Sequence, residues 1–124
     1  MSVIVSDTGF AADDFAGTTV DLAPDSAAST LAALVTQAPD MIRIAFPGFA
    51  DGRGFTLARL LRIHGYRGRL RATGHVLADQ YAMARRAGFD EVEIDSTLAA
   101  RQPEDQWRAR ADWRDFDHQA ALRG

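Results

Sequence analysis

Cysteine and lysine are both missing from this chain of 124 residues. Without cysteine there is no disulfide, no thiolate nucleophile, no cysteine-ligated iron–sulfur cluster and no cysteine zinc site. Without lysine there is no Schiff-base chemistry and no P-loop lysine. All 14 basic residues are arginines, fixed cations with a planar donor fork. Positive charge is not in excess either. A net charge of −3 and a pI of about 5.5 give no electrostatic reason to expect nucleic acid as a partner. No apolar run approaches the roughly 18 residues of a membrane span. Met1 to Phe10 has neither the basic flank nor the apolar core of a signal peptide, so the expected compartment is the cytoplasm. The three histidines are too widely spread for metal-ligand spacing, and no metal is expected. H-E-x-x-H, G-x-S-x-G, G-x-G-x-x-G and the P-loop pattern are all absent, and the sequence names no cofactor.

What is present is the ordinary mix of a soluble domain, 47% hydrophobic and 25% charged. The length suits one domain and is too short for a (β/α)₈ barrel, which needs roughly 200 residues or more. Residues 1–18 are weakly patterned, with a short strand at Val3 to Val5 and a loop from Thr8 to Gly17. Thr19 to Leu22 reads as a strand. Pro24-Asp25-Ser26 announces a helix with Asp25 or Ser26 as N-cap, and Pro39 ends it. Met41 to Phe46 is a strand, Phe55 to His64 a helix, and Arg69 to Thr73 a strand. A helix from Val76 to Ala87 ends at Gly88, and Glu91 to Asp95 is a strand. Residues 19–95 therefore form a βαβαβαβ core, and consecutive units of this kind build a parallel sheet through right-handed crossovers.

The strands show more. Asp21, Arg43, Arg71 and Glu93 each sit between two apolar neighbours. Side chains alternate faces along a strand, so one face is apolar and the other charged. A sheet covered on both faces would read as continuous apolar runs. The expected fold is thus α/β, a small, mostly parallel sheet with helices mainly on one face, like a fragment of a barrel. The charged face is either a solvated salt-bridge lattice or a surface covered by the tail or a second subunit. Residues 96–124 form a helical tail. Pro103 suits a first helical position, and Ala109, Trp113, Phe116 and Ala120 make an apolar stripe from which Trp107 falls away. This tail either packs on its own domain or uses Trp107, Trp113 and Phe116 as an interface.

Ligands of parallel α/β sheets bind beyond the carboxyl ends of the strands. Two loops fall there, Phe46 to Phe55 and Thr73 to Asp79. In the first, Gly52 and Gly54 permit close backbone approach, Arg53 supplies a cation with bidentate geometry, and the next helix offers free N–H groups. Together with Asp51 they make a candidate anion site. In the competing reading the glycines shape a turn while Asp51 pairs with Arg53 or caps the helix. In the second loop, His75 and Asp79 stand four apart, either as a base with its orienter or as a cap and a first-turn acid. Gln80 reaches a ligand or the backbone, and Arg71 completes the wall. His64 reads as a partly buried structural histidine.

At these residues a resemblance enters. The stretch FPGFADGRGFTLARLLRIHGYRGRLRATGHVLADQYAMARRAGFDEVEI, Phe46 to Ile94, resembles the core of a bacterial family, domain of unknown function 934. Asp51-Gly52-Arg53-Gly54-Phe55 and Ala58 to Arg62 match the first part of its pattern. Gly68, Leu70, Arg71, Ala72, Gly74, Val76, Leu77, Asp79 and Gln80 match the second, and Arg86, Gly88, Phe89 and Asp90 the third. His75 stands where the family usually has aspartate, Thr56 where it often has serine, and Ala87 where many members have cysteine. The first change speaks against a mechanism that needs a carboxylate there, and the last against an essential thiol. Family members carry an oxidoreductase label tied to sulfite reduction, resting on gene neighbours for sulfite reductase and adenylylsulfate reduction.

The resemblance implies an accessory protein of assimilatory sulfite or sulfate reduction. Such a protein binds a small anion or docks onto sulfite reductase or adenylylsulfate-reduction proteins, and is expected to be a homodimer. An oxidoreductase with a cofactor bound outside the known motifs and a structural subunit without ligand are the alternatives.

Overall fold

Apolar residues on alternate positions of the central strands give them one face to bury. In the computed structural model, which describes residues 2–111, they lie side by side in one six-stranded sheet. The elements are β1 (Ser2–Ser6), β2 (Gly9–Ala11), β3 (Thr19–Leu22), α1 (Ala28–Gln37), β4 (Met41–Phe46), α2 (Arg53–Ile63) and β5 (Arg69–Gly74). A 3₁₀ turn (Ala78–Gln80), α3 (Tyr81–Ala87), β6 (Glu91–Asp95), α4 (Ser96–Arg101) and α5 (Glu104–Arg108) follow. The strand order is β2-β1-β6-β5-β4-β3, with β3 to β6 parallel and the β1–β2 hairpin antiparallel against β6. Because β3 to β6 are neighbours in chain order, every right-handed crossover lands on the same face. There α1 packs on α2 and α2 on α3. The α/β class with a mostly parallel sheet and one-sided crossover helices is therefore the fold of this chain.

The core lies between that helical layer and the apolar sheet face. Ile42, Ile44, Leu70, Ala72, Val92 and Ile94 point into it from the strands, and Leu31, Leu61, Ala58, Tyr81 and Ala84 meet them from the helices. Each fully buried large aliphatic side chain here is worth about 1.5–3 kcal/mol. Phe46, Phe55 and Phe89 form an aromatic cluster with ring centroids 4.9–6.4 Å apart. Gly54 is the reason α2 approaches β4 so closely, since a Cβ there would lie 2.5 Å from the Phe46 ring. Among the described residues no helix is long and apolar enough to cross a membrane.

The opposite face carries the charges. The register aligns Asp21, Arg43, Arg71 and Glu91 in one row. Arg43 grips Asp21 through Nε (2.6 Å) and Nη2 (3.1 Å), and reaches Glu93 through Nη1 (3.1 Å). Arg71 is 3% exposed and saturated. It donates to Glu91 (2.6 Å), to Glu93 (2.9 Å) and twice to Asp13 (3.0 and 3.2 Å). The solvated lattice holds for one end of this face only, and the cover over the other end is neither the tail nor a second subunit but a segment that precedes β3. The Arg43–Asp21 pair is solvated, whereas Arg71 is covered by the segment holding Asp13 and Phe15, which precedes the core. Arg69 stacks over the Phe15 ring at 5.1 Å, and Met41 is buried on the same face.

Several local expectations need correction. Residues 9–11 form the second strand of a hairpin, not loop, because β1 pairs with them through a turn at Asp7-Thr8. The first helix starts at Ala28, with Ala27 as N-cap; the Ser26 hydroxyl instead donates to Ala23 O (2.6 Å) in a preceding turn. The Val76–Ala87 helix begins two residues later, as the 3₁₀ turn. His64 is exposed at the end of α2 rather than partly buried. Trp107 is only 1% exposed, its Nε1 donating to Gln102 O (2.9 Å) and its ring edge-on to Tyr81 at 6.1 Å. It is committed within the chain and unavailable to a partner. Trp113 and Phe116 lie outside the described residues.

Candidate functional site

The loops after β4 and β5 meet at one rim. Gly74 has φ +109°, and a Cβ there would lie 2.8 Å from Phe46 O. Only glycine fits that close approach. The backbone N–H of His75 then donates to Phe46 O (2.9 Å), and its Nδ1 lies 3.2 Å from the same oxygen. A carbonyl oxygen can only accept, so Nδ1 carries the hydrogen and Nε2 is the free ring nitrogen. The Phe49 ring stands edge-on to His75, with centroids 5.1 Å apart. Gln80 fastens the two loops together, since its Nε2 donates to Phe49 O (3.0 Å) and its Oε1 accepts from Leu77 N (2.9 Å).

The sequence-predicted residues separate at this rim. Asp51 and Arg53 close on each other: Asp51 Oδ1 and Oδ2 accept from Arg53 Nε (3.0 Å) and Nη2 (2.7 Å), and Oδ1 also accepts the Arg53 N–H (3.2 Å). The guanidinium holds the Asp51 carboxyl below its ordinary range. Gly52 is the N-cap of α2 and has room for a side chain, the Phe55 ring being 3.9 Å from an added Cβ, whereas Gly54 is packed under Phe46. Arg71 belongs to the charged face and is enclosed there. His75 and Asp79 do not form a pair. Residue 77 is extended, which breaks the helical spacing, and Asp79 instead accepts from Arg110 Nη2 (2.7 Å). Gln80 and His75 stay at the rim.

Beside them opens a cleft of about 330 Å³, which sequence reasoning did not find. His75, Thr73 and Phe49 line one side of it; Thr97, Leu98 and Arg101 of α4 line the other. Glu93 and Asp95 are also in its wall. Both of these carboxylates are engaged. Glu93 Oε1 accepts from Arg43 and Arg71, and Asp95 caps α4 by accepting from Leu98 N (2.8 Å). Arg101 is exposed and makes no ion pair among the described residues. The signal for it was in the sequence: Asp95-Ser96-Thr97 is an N-cap followed by a short helix that ends at Pro103. A helix so placed carries its last-turn arginine to the ligand edge.

Among the described residues no group of three or more histidine, aspartate or glutamate side chains is arranged to hold a metal ion. The rim can offer a fixed cation, a histidine with one free nitrogen, the hydroxyls of Ser2, Thr73 and Thr97, and an apolar wall. The family model described as bacterial protein of unknown function (DUF934) matches residues 19–122. The chain belongs to this family. No curated protein and no solved structure gives a significant match.

Within the family pattern, many positions serve the fold. Arg62 donates to the carbonyls of Gly88, Tyr66 and Gly68 at 2.8–3.0 Å and pairs with Asp90 (2.9 Å). Asp90 in turn accepts from Leu70 N (2.9 Å). These residues fix the opposite rim, away from the cleft.

Proposed function

We propose that this member of the family is an accessory protein of assimilatory sulfite or sulfate reduction. It binds a small anion at the carboxyl rim of its sheet and works beside a sulfite reductase or adenylylsulfate-reduction partner. The observation that carries the binding role is the cleft between the β5 loop and α4, where Arg101 is free of ion pairing among the described residues and His75 is held by Phe46 O. The Asp51–Arg53 pair is neutralised internally, so the anion site of this reading lies on Arg101 and His75 rather than on the glycine loop. The metabolic setting rests on the family resemblance alone.

Calorimetric titration of the full chain with sulfite and with sulfate tests the binding role. Heat of binding that Arg101→Ala abolishes is expected. A folded protein that gives no heat with either anion overturns it. Retention of sulfite reductase components by immobilised protein, compared between the native chain and Arg101→Ala, tests the partner.

A further inference from the structure

The cleft is far larger than an inorganic oxyanion needs. Its volume of about 330 Å³ lies at the small end of the range for organic ligands, about 300–1,000 Å³, and a water occupies about 30 Å³ of liquid. Its chemistry is also mixed. Phe49 is 41% exposed although large and apolar, and it is not loose: its carbonyl is held by Gln80 and its ring by His75. Leu98 adds apolar surface from α4. An exposed aromatic ring fixed at the lip of a cleft is a stacking platform without an occupant among the described residues.

Charge is distributed unevenly across the same cleft. Asp95 caps the start of α4 and Arg101 is its last residue. Six residues of helix separate these two backbones by about 9 Å. Glu93 lies beside Asp95 at the β6 end. A compact anion on Arg101 leaves the rest of the cleft empty, with the carboxylates of Asp95 and Glu93 at its far end. A longer ligand with a single anionic end avoids this, because its uncharged body can lie along Phe49 and Leu98.

We infer that the cleft between Phe49 and α4 takes an organic anion: a flat, uncharged ring system against Phe49 and Leu98, with one acidic group on Arg101. This inference rests on the anion-binding reading above and names the class of ligand for the same site. No bond is made or broken in it.

Naphthalene-2-sulfonate carries both features, naphthalene-2-sulfonamide only the ring, and inorganic sulfate only the charge. The three are titrated into the full chain, with naphthalene fluorescence or calorimetry as readout and backbone amide shifts of His75 and Thr97 to locate binding. The sulfonate is expected to bind at least tenfold more tightly than either of the others. Phe49→Ala and Arg101→Ala, both at exposed positions, should each remove most of that advantage while the circular dichroism spectrum stays unchanged. Sulfate binding as tightly as the sulfonate overturns the inference and leaves the anion-binding reading standing. Equal binding of sulfonate and sulfonamide overturns it as well, by showing that Arg101 selects nothing. If none of the three binds and sulfite also gives no heat, both readings fall.

Discussion

The two ends of the parallel strands are built in opposite ways. At the amino rim a network of side-chain bonds ties the crossovers together. Arg62 ties three carbonyls and Asp90 together, Tyr66 donates to Pro39 O (2.8 Å), and Asp40 accepts twice from Thr18. At the carboxyl rim the glycine loop is also closed, through Asp51 and Arg53, yet His75 keeps a free nitrogen and Arg101 has no ion-pair partner among the described residues. The bonded network at the amino rim holds crossovers in place, whereas the groups left open at the carboxyl rim are the ones on which the proposed ligand binding rests. The contrast teaches that groups on one rim can differ in what they leave open: the Asp51–Arg53 pair closes on itself while His75 and Arg101 beside it do not.

That comparison can be broken by substitution, and the largest effect belongs to the amino half of the sheet. Arg71→Ala leaves Glu91, whose side chain is 10% exposed, without its main counter-charge. Stranding a buried charge costs about 3–5 kcal/mol, so urea unfolding should show a large drop in midpoint. Next comes Arg62→Ala, which removes bonds to several carbonyls and should destabilise by about 2–4 kcal/mol. Loss of ligand binding without loss of stability in this variant would contradict the division between the rims. A smaller effect follows from acid. Asp13, paired with Arg71, has its carboxyl held below the ordinary 3.8, chiefly by the Arg71 hydrogen bond. Asp40 is held low by its two Thr18 bonds. A lowered folded-state pKa stabilises above the ordinary carboxylate range, and that contribution is lost as pH falls through the lowered value. Stability should therefore stay flat from neutral pH down to about pH 4 and decline below it. Asp13→Asn should flatten the decline, as measured by unfolding at stepped pH. The smallest effect belongs to the carboxyl rim: Arg101→Ala and Phe49→Ala should change unfolding free energy by less than about 0.5 kcal/mol, while binding falls.

Much of this arrangement was legible in the residues. The alternation around Asp21, Arg43, Arg71 and Glu93 predicted the one-sided sheet, and β4 and β6 have the bounds read from Pro47-Gly48 and Gly88. What escaped was set by tertiary partners. Gly9-Phe10-Ala11 has too little pattern to announce a strand; it becomes one because β1 offers it a ladder and Glu104 accepts the Phe10 N–H (2.8 Å). Trp107, read as a candidate interface residue, is instead buried, because α5 lays it edge-on to Tyr81 with its Nε1 on Gln102 O. At the site, His75 and Asp79 look like a pair only on an unbroken helix, and the Gly74 approach to Phe46 O makes the chain extended there instead. The Asp51–Arg53 alternative was visible, since two opposite charges two apart can close on each other. The cleft itself was hidden, because Phe49 and Arg101 are 52 residues apart in the sequence.

The Glu104 contact reaches beyond local packing. Strand β2 is an outer margin of the sheet, and a carboxylate from α5 already occupies its Phe10 N–H. The margin at β3 has no such stopper among the described residues, only the charge of Asp21 and a proline two residues past its end. An incoming strand can therefore be added on one side alone. Pairing of two molecules through β3 would use up that side, so any assembly by strand addition would end at two copies rather than grow into a fibre.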